Sequence, residues 1–309
     1  CTYCMPEEEG PYKFMSRKKY LSFEEILKVV RVGSDIGVRK VRLTGGEPLL
    51  RPKLEQLIEG ITSIEGVEDL ALTTNGSLLK SKVDSLWSAG LRRLTVSLDG
   101  INNDLVTKIS GSRFPVNDVL QGVIAARQAG FSVKMNSVVM RGVNESEILP
   151  LTDFAMEHGV NIRFIEYMDV GGATDWGIEK SIRSEEIAGY LSSKYELKAL
   201  SAQYKGEVAT RWSLLSHGES MGEVGFISSV SKPFCGDCNR IRLSADGALF
   251  KCLFATVGQD IKPHLENEEQ LRTFMSELWG ERDDRYSELR HVKKEGDVEP
   301  KVPMSFIGG

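Results

Sequence analysis

The chain has 309 residues, 41% of them hydrophobic and 27% charged, with a formal net charge of −5. This balance fits one large domain with an appendage and excludes a disordered chain. No apolar run approaches the roughly 18 residues that a spanning helix needs. No membrane association is therefore expected, no targeting segment is visible, and the acidic balance argues against a general nucleic-acid binder.

The chain opens on Cys1-Thr2-Tyr3-Cys4-Met5-Pro6, a pair of thiols that suits zinc, a redox dithiol or an iron–sulfur cluster. A βα series follows. Strands are expected at Lys40–Leu43, Leu70–Thr73, Leu94–Leu98, Val133–Val139 and Asn161–Ile165. Helices are expected near Phe23–Ile36, Lys53–Ile64, Lys80–Ala89, Asn117–Ala129 and Glu145–His158. A spacing of roughly 30 residues per unit is that of βα repeats on a parallel sheet. Five such strands plus one expected before Cys1 make an α/β fold, an open, partial, TIM-like (βα)6 barrel whose first strand is missing. Active sites of α/β barrels lie at the carboxyl ends of strands. There stand Thr44-Gly45-Gly46-Glu47-Pro48, Thr73-Thr74-Asn75-Gly76 and Ser97-Leu98-Asp99-Gly100. Lys134 and Asn136 share one face of a strand, with Met135 on the other. Lys134 and Arg163 either face inward, where buried cations need anions, or sit on solvated edges; Glu166 poses the same question.

Gly171–Trp176 reads as a loop leaving the barrel, and Arg183–Tyr195 as a helix. The expected division is a core of residues 1–195 and a smaller cluster-binding region of residues 196–309, with strands in Leu197–Leu215. Cys235 and Cys238 flank a turn, and Cys252 returns after a hairpin at Asp246-Gly247, so the three thiols can meet at one metal. Structural zinc closes with four ligands, for which His264 is the fourth candidate; a three-thiolate cluster with an open iron is the sharper reading. Arg240 and Arg242 alternate on the strand after Cys238 and suit phosphate; the plainer reading is a solvated hairpin face. Asn267–Trp279 reads as a packing helix, Glu281–Arg290 as a solvated surface, and Gly308-Gly309 as a frayed end or a thread that enters a pocket. With five cysteines in two groups and no disulfide framework expected, reduced thiols and a cytoplasmic location follow.

The Cys-Thr-Tyr-Cys motif with Gly-Gly-Glu-Pro after the next strand resembles the radical S-adenosylmethionine enzymes. Their triad has a further cysteine four residues upstream, so the resemblance implies an N-terminally truncated chain, inactive and poor at holding its first cluster. Val41–Leu49, Leu72–Gly76, the Cys235–Leu243 run with its Arg-Ile-Arg, and the double-glycine end narrow the resemblance to the GTP 3′,8-cyclase family of molybdenum cofactor biosynthesis. The likeness runs from Cys1 to Gly309.

That resemblance implies two 4Fe–4S clusters, one on Cys1, Cys4 and the missing cysteine, the other on Cys235, Cys238 and Cys252 with its open iron on the guanine of GTP. It implies that Tyr3, Gly46, Ser97 and Met168 line the S-adenosylmethionine site. It implies that Arg42, Thr73, Lys134, Arg163, Arg240, Ile241 and Arg242 surround GTP, and that the tail reaches the active site. In the implied reaction a 5′-deoxyadenosyl radical abstracts the ribose 3′ hydrogen and the carbon radical attacks carbon 8. The implied partners are GTP, a flavodoxin- or ferredoxin-type reductant and a downstream cyclic pyranopterin monophosphate synthase; a homodimer is compatible. The rival readings are another radical enzyme with an auxiliary cluster, such as a peptide-modifying maturase, and a non-catalytic zinc-binding module.

Overall fold

The computed structural model describes residues 1, 3, 16, 19–111, 114–170, 176–289, 302 and 304–307. Cys4, the 171–175 loop and Gly308-Gly309 lie outside the described residues. Helix α1 (Phe23–Asp35) starts where sequence chemistry says it should: Ser22 accepts from the Glu25 N–H while the Glu25 carboxylate accepts from the Ser22 N–H. Then come β1 (Lys40–Leu43), α2 (Leu54–Thr62), β2 (Asp69–Thr74), α3 (Leu79–Ser88) and β3 (Arg93–Ser97). The series continues with α4 (Asn103–Ser110), α5 (Val116–Gln128), β4 (Ser132–Val139), α6 (Ile148–Glu157) and β5 (Asn161–Glu166). Every expected strand and helix of this region is present within two or three residues. Helix α4, capped by the Asn102 side chain, was not anticipated.

Beyond α7 (Ser184–Ser192) the chain forms β6 (Glu196–Leu200), β7 (Thr210–Ser216) and β8 (Glu219–Ile227). These strands continue the main sheet, whose order is β1-β2-β3-β4-β5-β8-β7-β6. Strand β8 pairs parallel with β5, so six parallel strands lie within the described residues, the last supplied from the C-terminal side. Strands β6 and β7 add antiparallel at that edge. The 197–215 strands, expected to belong to a smaller region, thus hydrogen-bond into the barrel sheet.

The two faces of the sheet differ sharply. Leu72, Leu94, Val96, Met135, Ile162, Phe164 and Val224 point outward and are at most 1% exposed beneath the helices. The alternate positions, Thr73, Ser97, Lys134, Asn136 and Arg163, face the concave interior. A second core joins α1 to the hairpin β9 (Arg242–Leu243) and β10 (Ala248–Phe250), which pairs with β11 (Gln259–Asp260), and to helix α8 (Glu268–Gly280). Leu21, Val32, Ile261 and Leu271 are its buried centre. This packing holds the C-terminal cysteine segment against the barrel mouth. The hairpin turns where expected, with Gly247 at φ +93°.

Candidate active site

One cavity of about 2120 Å³ opens over the carboxyl ends of the parallel strands. Tyr3, Gly46, Ser97 and Met168 line it, as do Arg42, Thr73 and Arg163 from the sheet. Cys235, Cys238, Cys252, Arg240, Ile241 and Arg242 line it from the C-terminal segment. Two sets of expected site residues, far apart in sequence, therefore share one space. Lys134 is the exception: in register with Thr95 and Asn161, it does not line this cavity, and its ammonium is near Arg163 and Arg93.

The strand-end loops are held by carboxylates, Glu47 half-buried and Asp99 buried. Glu47 accepts from Leu49 N–H (3.0 Å), the Thr74 hydroxyl (2.8 Å) and Asn75 N–H (2.7 Å), tying the ends of β1 and β2 together. Burial pushes its carboxyl above the ordinary value despite these donors. A Cβ at Gly46 would meet nothing within 4 Å, so the backbone there faces open space in the cavity. Asp99 accepts from the Tyr3 hydroxyl (2.9 Å) and Val138 N–H (2.8 Å), which anchors the residue between the N-terminal cysteines to the end of β4. Burial lifts the Asp99 carboxyl to about 6, those two hydrogen bonds opposing it. Glu166 is fully buried on the opposite face of β5 from Arg163.

The concave face is a field of cations. Arg42 donates to Thr73 (3.1 Å) and Thr95 (3.4 Å), and burial, with Arg163 and Arg93 nearby, draws its guanidinium down. Lys134 is drawn down to about 8 by burial first and by the same two arginines next. Arg242 falls to about 10 through burial and the adjacent Arg240. Clustering of this kind is costly without anions, which is what a polyanionic ligand supplies.

The structure also places residues that the sequence reading passed over. Arg93 pairs with Asp69. Arg211 donates to both carboxylate oxygens of Glu223, and Glu207 lies between Arg163 and Arg211. Alternation along β2 and β3 puts Asp69 and Arg93 on the face of Thr73 and Ser97, a signal available in the sequence. Nothing local in the sequence signals Glu207, which sits on a loop.

The three C-terminal cysteines occupy one wall. Cys238 N–H donates to the Cys235 carbonyl (3.2 Å), closing their turn. Arg240 does not continue a strand as expected, because β9 begins only at Arg242. It folds back instead, donating to Cys238 Sγ from Nε (3.2 Å) and Nη2 (3.0 Å). Burial raises the Cys238 thiol, but the charge and hydrogen bonds of Arg240, with Arg282, outweigh it and leave the value lowered. Cys252 Sγ accepts from Phe254 N–H (3.5 Å), and burial pushes that thiol up. Thiols with N–H and guanidinium donors aimed at sulfur form the donor set that suits an iron–sulfur cluster, whose sulfurs take such hydrogen bonds. The residues present therefore fit that group. Among the described residues no three His, Cys, Asp or Glu side chains converge on a single metal position. His264 stacks on Phe274 (4.4 Å between centroids) and does not line the cavity, against its reading as a fourth zinc ligand. Residues 281–289 of the segment expected to be solvated pack on this wall: Arg282 donates to the Cys238 carbonyl, and Tyr286 stacks on Phe254. Cys1 is exposed.

Comparison with known proteins places both parts of the chain in families. Residues 1–155 match the radical SAM superfamily, and residues 160–288 match the molybdenum cofactor synthesis C family. The chain is 48% identical to a GTP 3′,8-cyclase of Xanthomonas axonopodis pv. citri, over all of this chain and 92% of that protein. It is 38% identical to a GTP 3′,8-cyclase of Staphylococcus epidermidis, over all of this chain and 92% of that protein. Among solved structures, Streptococcus suis SuiB bound to precursor peptide SuiA shares the fold. Its TM-score is 0.61 at 16% identity, covering 100% of this chain and 67% of that one. No helix among the described residues is long and apolar enough to cross a membrane.

Proposed function

The chain belongs to the GTP 3′,8-cyclase family, and we propose that it converts GTP to (8S)-3′,8-cyclo-7,8-dihydro-GTP as a radical S-adenosylmethionine lyase of molybdenum cofactor biosynthesis. One observation carries the reading. The thiol wall of Cys235, Cys238 and Cys252 and the strand-end wall of Gly46, Ser97 and Met168 bound a single cavity, with Arg42, Thr73 and Arg163 between them. Cys1 and Cys4, with the family's upstream cysteine, would hold a 4Fe–4S cluster, which would supply the electron for reductive cleavage of S-adenosylmethionine. Cys235, Cys238 and Cys252 would hold a second 4Fe–4S cluster, which would supply a binding position for the guanine.

The chain's own residues bind and orient. Gly46 leaves its backbone open to the methionine end of the cofactor, while Ser97 and Met168 flank it. Arg42, Arg163, Arg240 and Arg242, with Lys134 behind them, offer donors to the triphosphate, and Thr73 holds Arg42 in place. Ile241 contributes an apolar contact. Fixing both reactants in one enclosed space replaces an encounter with a positioned reaction and excludes water from it. A low-potential flavodoxin- or ferredoxin-type protein supplies electrons, and a cyclic pyranopterin monophosphate synthase consumes the product.

A peptide-modifying role would not need this concentration of cations. Anaerobic reconstitution, iron and sulfide analysis, and equilibrium binding of GTP test the reading. Iron with matching sulfide and GTP binding that is lost in Arg242→Ala are expected. Stoichiometric zinc with no nucleotide binding would overturn it.

A further inference from the structure

The loop joining β6 to β7, residues 201–209, crosses the concave face of the sheet. The Tyr204 ring lies 3.6 Å from Lys40 Nζ, at the start of edge strand β1. Gly206, at φ +81°, passes so close to the cysteine turn that a Cβ there would sit 2.9 Å from the Asp237 carbonyl oxygen. Glu207, next in the chain, reaches into the cation field with its side chain only 2% exposed. One loop thus touches β1 at one edge, β5 in the middle of the sheet and the segment that carries Cys235 and Cys238.

The two arginines around Glu207 are held differently. Arg211 makes two hydrogen bonds to Glu223 and is committed. Arg163 is 14% exposed and faces the cavity, and its only ion pair among the described residues is with Glu207 Oε1 at 3.9 Å. That is ion-pair distance but too long for a hydrogen bond. Glu207 Oε2 accepts from Gln203 N–H (2.8 Å), so its own loop fixes the carboxylate, while Oε1 has no hydrogen-bond partner. A buried carboxylate held this way can pull a guanidinium into one direction without consuming its donors.

We propose that Glu207 is a positioning residue for Arg163, aiming its uncommitted N–H donors at the phosphate oxygens of the nucleotide. The inference rests on the GTP reading above. Glu207 contacts Arg163 and not the substrate, so its effect scales with the number of phosphates present.

The test measures GTP and GMP dissociation constants by equilibrium binding to the reconstituted protein, unsubstituted and as Glu207→Gln. Glu207→Asp, which keeps the charge and shortens the reach, is the second variant. Glu207→Gln is expected to weaken GTP about tenfold, as for removal of a buried charged partner. GMP should weaken much less, S-adenosylmethionine affinity and iron content should be unchanged, and Glu207→Asp should fall between. Unchanged or tighter GTP binding in both variants would overturn the proposal, because the carboxylate would then act only as a charge that repels phosphate. Equal weakening of GTP and GMP would also overturn it, as general damage to the cavity. If the unsubstituted protein binds GTP no better than GMP, the GTP reading itself fails instead.

Discussion

Glu166 accepts from both the backbone N–H (2.7 Å) and the hydroxyl (2.6 Å) of Ser231, four residues before the first cysteine of the C-terminal wall. The same carboxylate accepts from Val230 N–H (2.9 Å) and from the Ser184 N–H (2.8 Å) and hydroxyl (2.9 Å). One fully buried side chain thereby fixes the start of α7 and the turn that leads from β8 to Cys235. Glu166→Ala leaves several of these donors unsatisfied, and about 3 kcal/mol of stability should be lost. Thermal unfolding of the apoprotein checks this. Iron content at the C-terminal site should fall with it, since the turn that presents Cys235 loses its anchor.

Arg240 serves the thiol wall as well as the cavity. Arg240→Ala removes two donors to Cys238 Sγ but none of the thiols. GTP affinity should drop about tenfold, the loss of one charge-assisted contact, while iron and sulfide content stays the same. Binding measurements on the reconstituted variant, paired with metal analysis, read both outcomes.

Lys134 makes the nucleotide affinity pH-dependent. Its ammonium value is drawn down from 10.5 to about 8 by burial and by Arg163 and Arg93. A bound triphosphate favours the ammonium and raises that value, so binding takes up a proton when the lysine is neutral. The contribution is complete below about 8 and is lost as pH rises from there toward the raised value of the complex. GTP dissociation constants measured from pH 7 to about 9.5 should increase across that window. In Lys134→Met the slope should be flat.

Much of this site was legible in the sequence because its chemistry is local. The Gly45-Gly46-Glu47-Pro48 loop, the Cys235–Cys238 turn and the hairpin at Gly247 each carry their geometry in a few adjacent residues. Strand alternation left Lys134 and Arg163 either facing inward or on solvated edges, and the structure puts both on the concave face. What could not be read was set by contacts between distant segments. The parallel pairing of β8 with β5 joins segments more than 50 residues apart. The fold-back of Arg240 depends on a thiolate neighbour competing with the ladder, and the docking of Tyr286 on Phe254 brings a charged segment onto the cysteine wall. Glu207 illustrates the limit best: only the tertiary path of its loop brings it to Arg163.

Glu47 joins the cofactor loop to the neighbouring strand end. Glu47→Gln keeps the shape but sets an amide N–H₂ against the N–H and O–H groups that now donate to the carboxylate. A loss of about 1–3 kcal/mol is expected from the unsatisfied donor, together with weaker S-adenosylmethionine binding. GTP affinity should change less, because of the cations that face the phosphates only Arg42 lies on a strand that Glu47 joins. Parallel titrations with the two ligands separate the effects.

The claim that a nucleotide is cyclised between a thiol wall and a cofactor wall is tested most directly by product analysis. The protein, with the upstream cysteine of the triad restored and both clusters reconstituted, is incubated without oxygen with GTP, S-adenosylmethionine and a low-potential reductant, and the nucleotides are identified by mass spectrometry. The account predicts 3′,8-cyclo-7,8-dihydro-GTP and 5′-deoxyadenosine in equal amounts, with the cyclised product lost in Cys252→Ser. Cofactor cleavage that leaves GTP unaltered, or cyclisation that persists in Cys252→Ser, would contradict it.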